Sequence, residues 1–273
     1  MSNFSQQLKS IKYLKNFLKS PRKCSIKGSF DIIIIIMESL DYKNTKLVAH
    51  RGLSSMEVEN TLPAFLLACQ NPAVYGVECD VQITKDNKFV IFHDRTLKRM
   101  CGVDKKIKEL TQSQICALPM FDKENNLSSH YHIPTLKEYL DLCKAYDKVA
   151  VIEIKSKMTL PEIKRLYREI KHTYDIKKVV IISFYIKCLV FFRWLDKCVL
   201  LQHICEYKFK RHPLLCRTHN IGYDYSHRLM DTKDVKEYKK LGIVTNVWTV
   251  NDKSMMQRYI DAGVDFITSN HAY

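Results

Sequence analysis

The sequence predicts an α/β protein of the (β/α)8 TIM-barrel class, folded as a single domain. Two observations predict this class. From residue 46 onward, short runs rich in β-branched residues alternate with segments of helical periodicity, as in a parallel sheet covered by helices. The alternation repeats close to eight times, and the chain of 273 residues has the length that such a barrel needs.

Nine segments are predicted to be strands, because each is a short β-branched run between polar segments. They are Leu47–His50, Gly76–Ile83, Phe89–Phe92, Val149–Lys155, Val179–Phe184, Val199–Cys205, Ile221–Tyr225, Val244–Val250 and Asp265–Thr268. Seven segments between them have apolar residues at helical spacing, namely Leu62–Gln70, Thr111–Leu118, Leu136–Tyr146, Leu160–Tyr174, Ile186–Leu195, Thr232–Leu241 and Lys253–Ala262.

One connection does not fit a regular barrel. Only five residues, Thr84 to Lys88, separate the second predicted strand from the third. A parallel crossover takes about a dozen residues or more, so we expect an irregular, hairpin-like pair of strands there. A doubly wound open sheet is the alternative architecture, but the sequence has no GxGxxG motif to favour a dinucleotide site.

Composition limits the classes of function. The hydrophobic share of 46% and the charged share of 27% are typical of a globular chain and argue against disorder. The net charge of +15 raises the question of nucleic-acid binding, but basic residues are scattered and no zinc-ligand spacing or RNP motif is present. Ten cysteines stand without a CxxC pair, which is typical of reduced thiols. We therefore expect a cytoplasmic protein that does not bind nucleic acid.

Residues 1–45 are predicted to be a basic extension that precedes the barrel domain of residues 46–273. The first 30 residues carry seven lysines and arginines and no acidic residue, with apolar residues at helical spacing. Such a segment can contact an anionic membrane surface, so a weak peripheral contact through residues 1–36 is one expectation. Met37 is a candidate start, and in that case the extension is not part of the native protein.

Polar residues at predicted strand ends carry the chemistry, because barrel enzymes place their sites at the carboxyl ends of the strands. His50 and Arg51 end the first strand. Glu78 and Asp80 share one face of the second strand, since side chains alternate along a strand. His93 closes the third strand, and together these residues predict a site at one face of the barrel.

Glu153 and Lys155 interrupt an otherwise apolar strand, where a charge needs a partner or a metal. With Glu78 and Asp80, Glu153 would form a hard oxygen site for one divalent cation, Mg²⁺ or Ca²⁺. The other four residues suit proton transfer and phosphate binding. The imidazoles of His50 and His93 can act as base and acid, and Arg51 and Lys155 can neutralise a phosphate oxyanion. The combination predicts phosphodiester cleavage.

The same residues belong to a longer pattern. Its segments, in order, are His50-Arg51-Gly52, Glu59-Asn60-Thr61, Glu78-Cys79-Asp80, His93-Asp94, Glu153-Ile154-Lys155, Trp248-Thr249-Val250-Asn251 and Thr268-Ser269-Asn270. In order and spacing, the pattern resembles the signature of the glycerophosphodiester phosphodiesterase family across residues 46–271.

The resemblance implies a TIM barrel that hydrolyses small glycerophosphodiesters to an alcohol and sn-glycerol 3-phosphate with a divalent cation. It also implies that Glu59 orients Arg51 or lies close to the metal, and that Trp248 walls the glycerol side of the pocket. Attack by water and attack by a glycerol hydroxyl, which gives a cyclic phosphate, both stay open, as does the oligomeric state. The roles carried over are metal binding (Glu78, Asp80, Glu153), general base and acid (His50, His93) and phosphate binding (Arg51, Lys155).

Two other functions are weighed. The first alternative is a phosphodiesterase with the same barrel that acts on lysophospholipids at a membrane surface, to which the basic extension would help it bind. The remote one is a non-enzymatic nucleic-acid-binding protein. A barrel without catalysis is disfavoured because every chemical position of the pattern is filled.

Overall fold

Eight parallel strands form a closed barrel with helices between them, in a computed structural model that describes residues 40–208 and 214–273. In chain order the strands are β1 (Lys46–Ala49), β2 (Val74–Ile83), β3 (Phe89–Ile91), β4 (Met120–Phe121), β5 (Leu127–Ser128), β6 (Val149–Ile154), β7 (Val179–Ser183), β8 (Leu200–Cys205), β9 (Gly222–Ser226), β10 (Thr245–Trp248) and β11 (Phe266–Ser269). The helices are α1 (Leu62–Gln70), α2 (Lys98–Cys101), α3 (Gln112–Cys116), α4 (Leu136–Ala145), α5 (Leu160–Thr173), α6 (Ile186–Leu195), α7 (Leu214–Thr218), α8 (Thr232–Lys240) and α9 (Lys253–Ala262), with two 3-10 turns at Ile107–Glu109 and Ile176–Lys178. The predicted TIM-barrel class is confirmed.

The barrel closes because its first strand pairs on both sides. The strand order is β1-β2-β6-β7-β8-β9-β10-β11, and β11 returns to pair with β1. All of these neighbours run parallel, so the carboxyl ends of the eight strands meet at one face. Below that face the lumen is filled by a cluster of apolar side chains from the strands, namely Val48, Val151, Val180, Ile182, Ile204 and Phe266.

The irregular strand pair expected between residues 76 and 92 is an antiparallel hairpin. β3 pairs with the end of β2, with Val81 opposite Ile91, and takes no place in the barrel. The backbone N–H of Phe92 donates a hydrogen bond to the carbonyl of Asp80 at 2.8 Å. The hairpin therefore brings His93, the next residue, back to the carboxyl end of β2.

The predicted boundaries agree with the observed ones to within two residues for all nine strands and seven helices. The helices α2 and α7 and the small hairpin of β4 and β5 were not predicted. Each of these elements has five residues or fewer, which is too short to show a periodic pattern.

Residues 1–39 of the predicted extension lie outside the described residues, and residues 40–45 lead into β1. Across the described parts of the chain, no helix has the length and apolar character needed to cross a membrane. The nine cysteines that the structure describes are free thiols, and seven of them are buried.

Helices begin where the sequence supplies a capping residue. At the start of α4, Thr135 Oγ1 accepts a hydrogen bond from the N–H of Glu138 at 3.2 Å. The Glu138 carboxylate in turn accepts from the N–H of Thr135 at 2.8 Å, which completes a capping box. At the start of α1, Thr61 is the capping residue and Pro63 occupies the first turn. These two helices pack against each other beside β2.

Tyr139 of α4 anchors β2 to these helices. Its side chain is fully buried, and its hydroxyl donates to the carbonyl of Val77 at 2.6 Å. The ring meets Phe65 of α1 edge to face, with the centroids 5.0 Å apart. Val77 directly precedes Glu78, so this contact fixes the strand that carries the carboxylates.

We expect Tyr139→Phe to lower the free energy of unfolding by about 1–3 kcal/mol, because the hydroxyl and its buried carbonyl partner lose their hydrogen bond while the ring stays packed. The measurement is urea denaturation followed by circular dichroism. Tyr146→Phe is the matched control, since this tyrosine is 37% exposed and its hydroxyl meets Gln70 only at 3.5 Å. Equal stability of the two variants would contradict the anchoring role.

Candidate active site

A strained turn after β1 brings the Arg51 backbone to Glu78. Arg51 and Gly52 follow each other with φ of 54° and 79°, in the left-handed region. At Gly52 an added Cβ would lie 2.5 Å from the backbone of Ala64, so only glycine fits between the turn and α1. The turn points the N–H of Arg51 at Glu78 Oε2, which accepts it at 2.8 Å.

Three buried carboxyl groups converge at the ends of β2 and β6. Glu78, Asp80 and Glu153 each offer an oxygen within 4.8 Å of the others, and they are 1%, 0% and 7% exposed. Glu78 Oε1 and Asp80 Oδ1 are buried and accept no hydrogen bond from the described residues, whereas Glu153 Oε1 lies 2.9 Å from Lys155 Nζ. Buried oxygens without donors are rare unless a ligand completes them. The donor set fits a hard divalent cation such as Mg²⁺ or Ca²⁺.

Crowding of these carboxyl groups separates their proton affinities. Burial raises the pKa of Glu78 well above its usual value, and the charges of Asp80 and Glu153 raise it further. Burial, followed by the charge of Asp80, raises the pKa of Glu153 to about 8. Burial also acts to raise the pKa of Asp80, but Arg51 and Lys155 together lower it to about 2. Asp80 is therefore the member of the group that is most strongly held as a carboxylate.

Two cations and one amide hold Asp80. Arg51 Nε lies 3.2 Å from Asp80 Oδ2, and Lys155 Nζ lies 3.6 Å from Asp80 Oδ1. Lys155 Nζ also lies 2.9 Å from Glu153 Oε1. The buried Asn60 amide donates to Asp80 Oδ2 at 2.7 Å and accepts from the N–H of Asp80 at 3.2 Å. The carboxylate is thus fixed from both sides.

His50 is oriented by an asparagine at the other end of the chain. Its Nδ1 lies 2.8 Å from Asn270 Oδ1, an acceptor, so Nδ1 carries the proton and Nε2 is left unprotonated. Ser54 donates to the same Oδ1 at 3.0 Å, and the N–H of Asn270 donates to Asn251 at 2.9 Å. Burial, and then the Arg51 charge, lowers the pKa of His50 to about 4, which keeps this imidazole neutral near pH 7.

His93 is oriented by a carboxylate instead. Its Nδ1 donates to Asp94 Oδ1 at 2.7 Å, and Arg99 Nε donates to Asp94 Oδ2 at 2.6 Å. Arg99 also donates to Glu59 Oε1 at 2.6 Å, and Arg51 donates to that oxygen at 3.1 Å. Burial lowers the pKa of His93 below its ordinary value, while the Asp80 charge and the Asp94 hydrogen bond act to raise it. The two imidazoles therefore have different partners.

A small cavity of about 100 Å³ lies among these residues. Trp248 and Phe184 line one part of it, with their rings edge to face at 6.2 Å between centroids. A wider cavity of about 610 Å³ lies on the other side of His93 and Lys155, against Tyr185 and Glu206. His93, Lys155 and Phe184 line both cavities, so the narrow charged pocket adjoins a broader opening.

The nine predicted site residues lie together at the small cavity. Seven of them line it directly, Asp80 lies buried behind them, and Glu59 is held against Arg51. The residues that line it are His50, Arg51, Glu78, His93, Glu153, Lys155 and Trp248.

The structure adds partners that the strand-end argument did not assign. Asn60, Asn251 and Asn270 belong to the pattern that resembles the family, but their contacts could not be inferred from spacing. Asn60 holds Asp80, Asn270 holds His50, and Asn251 in turn accepts from the N–H of Asn270. Arg99 lies in a four-residue helix with no periodic signal. Asp224 of β9 also lines the small cavity, although its strand carries no sharp motif.

A barrel that gathers this chemistry at the carboxyl ends of its strands belongs among the phosphoric diester hydrolases. A model of the glycerophosphoryl diester phosphodiesterase family matches residues 50–272. The chain belongs to this family, whose members hydrolyse glycerophosphodiesters, and the resemblance seen in the sequence is confirmed.

Individual proteins support the same relationship. The chain is 33% identical over 234 residues to a glycerophosphodiester phosphodiesterase of Caldanaerobacter subterraneus. The aligned region covers 83% of this chain and 94% of the relative. Its fold is similar to a glycerophosphodiester phosphodiesterase of Parabacteroides distasonis, with 26% identity, a TM-score of 0.67 and coverage of 84% and 94%. The fold is also similar to that of an Oleispira antarctica phosphodiesterase solved with the product sn-glycerol 3-phosphate, with 23% identity, a TM-score of 0.76 and coverage of 83% of this chain and 93% of that one.

We expect millimolar Mg²⁺ or Ca²⁺ to raise the thermal midpoint of the protein, because a cation that binds the folded carboxyl cluster stabilises it. At 100 times the dissociation constant the gain is about 2.7 kcal/mol, or roughly 5–10 °C for a domain of this size. Glu78→Gln should abolish this gain and leave the midpoint in EDTA unchanged or higher, since one repelling carboxyl group is gone. The exposed Glu124→Gln is the control and should respond like the wild type. A full metal response in Glu78→Gln would remove Glu78 from the site.

Proposed function

We propose that residues 46–273 are the catalytic unit of a glycerophosphodiester phosphodiesterase that uses one divalent cation, Mg²⁺ or Ca²⁺, and releases sn-glycerol 3-phosphate. The observation that carries the proposal is the cluster of Glu78, Asp80 and Glu153, in which a buried oxygen of Glu78 and one of Asp80 accept no hydrogen bond from the described residues. Membership of the family supports the substrate class. The product bound in the structure of the Oleispira antarctica phosphodiesterase, sn-glycerol 3-phosphate, fits the same reaction.

The three carboxyl groups would hold the cation, which when bound supplies positive charge to a phosphate oxygen and helps to neutralise the transition state. Arg51 and Lys155 add two further positive charges on the same side of the cavity. Arg51 is held by Glu59 and lies beside Asp80, so its guanidinium group is oriented before substrate binds. Preorganised charge of this kind lowers the barrier because it needs no rearrangement during the reaction.

His50 is the general base in this proposal. Its unprotonated Nε2 belongs to a ring that lines the cavity and is held through Nδ1 by Asn270. The low pKa keeps the ring ready to accept a proton near neutral pH. It takes the proton from the attacking hydroxyl, which comes either from water or from the glycerol itself.

His93 is the general acid. It stands where the small cavity meets the wider one, which has room for the leaving alcohol. Burial lowers the pKa of His93, but the charge of Asp80 and the hydrogen bond to Asp94 act against that shift, and Arg99 fixes the Asp94 carboxylate. As the bond between phosphorus and the leaving oxygen breaks, His93 gives its proton to that oxygen.

We expect the protein to release sn-glycerol 3-phosphate from glycerophosphodiesters in an assay coupled to glycerol 3-phosphate dehydrogenase. EDTA should abolish turnover, and added Mg²⁺ or Ca²⁺ should restore it. His50→Ala and His93→Ala should each lower kcat by about 10²-fold or more, because each removes a proton-transfer group. Turnover by both histidine variants at the wild-type rate would refute the acid–base assignment.

We expect Asp94→Asn to move the basic limb of the kcat/KM profile to lower pH by about one unit. The Asp94 carboxylate stabilises the protonated form of His93, so its neutral replacement lowers the pKa of that imidazole, and the acid loses its proton at lower pH. The exposed Asp104→Asn, whose carboxylate lies 3.8 Å from Lys98 Nζ, is the control and should leave the profile in place. A basic limb that does not move would assign the acid to another residue.

A further inference from the structure

Asp224 is a buried carboxyl group on the side of the barrel that faces the carboxylate cluster. Its strand, β9, is four strands away from β2 in both directions around the barrel of eight, so the two strands lie opposite each other. Asp224 is 2% exposed and lines the same cavity as His50, Glu78 and Glu153. A molecule that fills this cavity therefore meets acidic groups at both ends.

One oxygen of Asp224 has no partner. Oδ1 is buried and accepts no hydrogen bond from any residue that the structure describes. No described lysine, arginine or histidine forms an ion pair with this carboxyl group. The Asn246 amide on β10 donates to Thr268 at 2.8 Å, and Asn246 also interacts with the Asp224 carboxyl group. Burial and the charge of Glu153 raise the pKa of Asp224 well above its usual value, while the Asn246 side chain acts to lower it.

The surroundings of Asp224 are unlike those of the phosphate side. The neighbouring lining residues are Ile182, Ile204 and Trp248, and the Trp248 indole N–H donates to the backbone carbonyl of Asp224 at 3.2 Å. An anionic group would find no cation among these described neighbours. An apolar wall with one carboxyl group fits a small neutral hydroxyl, which can donate to the free oxygen and rest its carbon against the indole ring.

We propose that Asp224 binds the terminal hydroxyl of the glycerol moiety, the one farthest from the phosphate, and so selects substrates in which that hydroxyl is free. The proposal rests on the proposed function and deepens it. With phosphate held by Arg51 and Lys155, the glycerol extends across the cavity toward β9, where its terminal hydroxyl donates a hydrogen bond to Asp224 Oδ1. A cavity of about 100 Å³ closed by a carboxyl group leaves no place for an acyl chain at this position.

The same arrangement bears on the lysophospholipid alternative. An acyl ester at the terminal position has no hydrogen to donate, so it would leave Oδ1 buried and unpaired. A site built to bond a hydroxyl rejects the analogue that lacks it more strongly than an apolar pocket rejects an extra group. Asp224 thus favours water-soluble glycerophosphodiesters over lysophospholipids.

The test compares two substrates that release the same alcohol. One is sn-glycero-3-phosphocholine, and the other is its analogue with hydrogen in place of the terminal hydroxyl, while the hydroxyl next to it is kept. Choline release is followed with choline oxidase. The wild type should use the analogue with a kcat/KM about 10- to 100-fold lower. Asp224→Leu should lose this factor on sn-glycero-3-phosphocholine and change little on the analogue, because only one substrate makes the bond.

Two variants keep the outcome interpretable. Asp224→Asn retains an oxygen acceptor and a similar volume, so it should fold and keep part of the discrimination. Gln202→Leu removes another buried polar atom without a partner, Nε2, from a side chain that is not among the cavity residues, and should leave the discrimination unchanged. The metal-induced rise of the thermal midpoint confirms that each variant keeps the carboxylate cluster.

Three results would overturn the inference. They are equal use of both substrates by the wild type, an equal loss on both substrates in Asp224→Leu, and efficient cleavage of 1-acyl lysophosphatidylcholine by the wild type. The first needs no variant, so it decides the matter even if Asp224→Leu does not fold. A wild type that releases no alcohol from any glycerophosphodiester would instead overturn the proposed function, and this inference with it.

Discussion

The confinement of three carboxyl groups within 4.8 Å, away from water, is the constraint on which this site depends. Such groups repel each other and lose hydration, so they persist only where the surrounding structure compensates them. Asp80 receives two cations and an amide, Glu78 receives the N–H of Arg51, and Glu153 receives Lys155. The left-handed turn at Arg51 directs its N–H to Glu78 Oε2. The oxygens still without a donor then mark where a cation would add the remaining stabilisation.

The barrel separates this charged side from an apolar one. The lumen below the site is filled by aliphatic side chains and Phe266, which leaves the cavity shallow and keeps the electrostatic interactions strong. The β2–β3 hairpin serves the charged side, since the bond from Phe92 to Asp80 returns the chain and places His93 beside the carboxylates. Trp248 and Asp224 occupy the opposite side, where no described cation balances Asp224. A substrate with an anionic end and a neutral, hydroxylated end matches this division.

Much of the fold and site could be predicted because the relevant signals are local. Alternation along β2 places Glu78 and Asp80 on one face, and the short linker after β2 excludes a parallel crossover. The contact between His50 and Asn270 spans 220 positions and exists only because β11 closes on β1, so no local pattern contains it. Asp224 was missed for another reason. Outward-facing residues of a barrel strand are buried under helices, and Tyr223 and Tyr225 pack against Tyr238, which makes β9 read as an ordinary core strand.

The different partners of the two imidazoles also bear on the course of the proposed reaction. An amide oxygen holds His50 without adding charge, whereas a carboxylate holds His93 and favours its protonated form. Environments that separate proton affinities in this way define a base and an acid at the start of a reaction. If a glycerol hydroxyl attacks first, the first step leaves His50 protonated and His93 neutral, and opening of the cyclic phosphate by water then reverses the two roles. Each ring must therefore be able to carry a proton on both nitrogens at one stage of the reaction. The Asp94 carboxylate makes this protonated form easier to reach for His93 than for His50. The reversal returns His50 to its neutral form, which burial favours, so the second step also restores the resting state of the site.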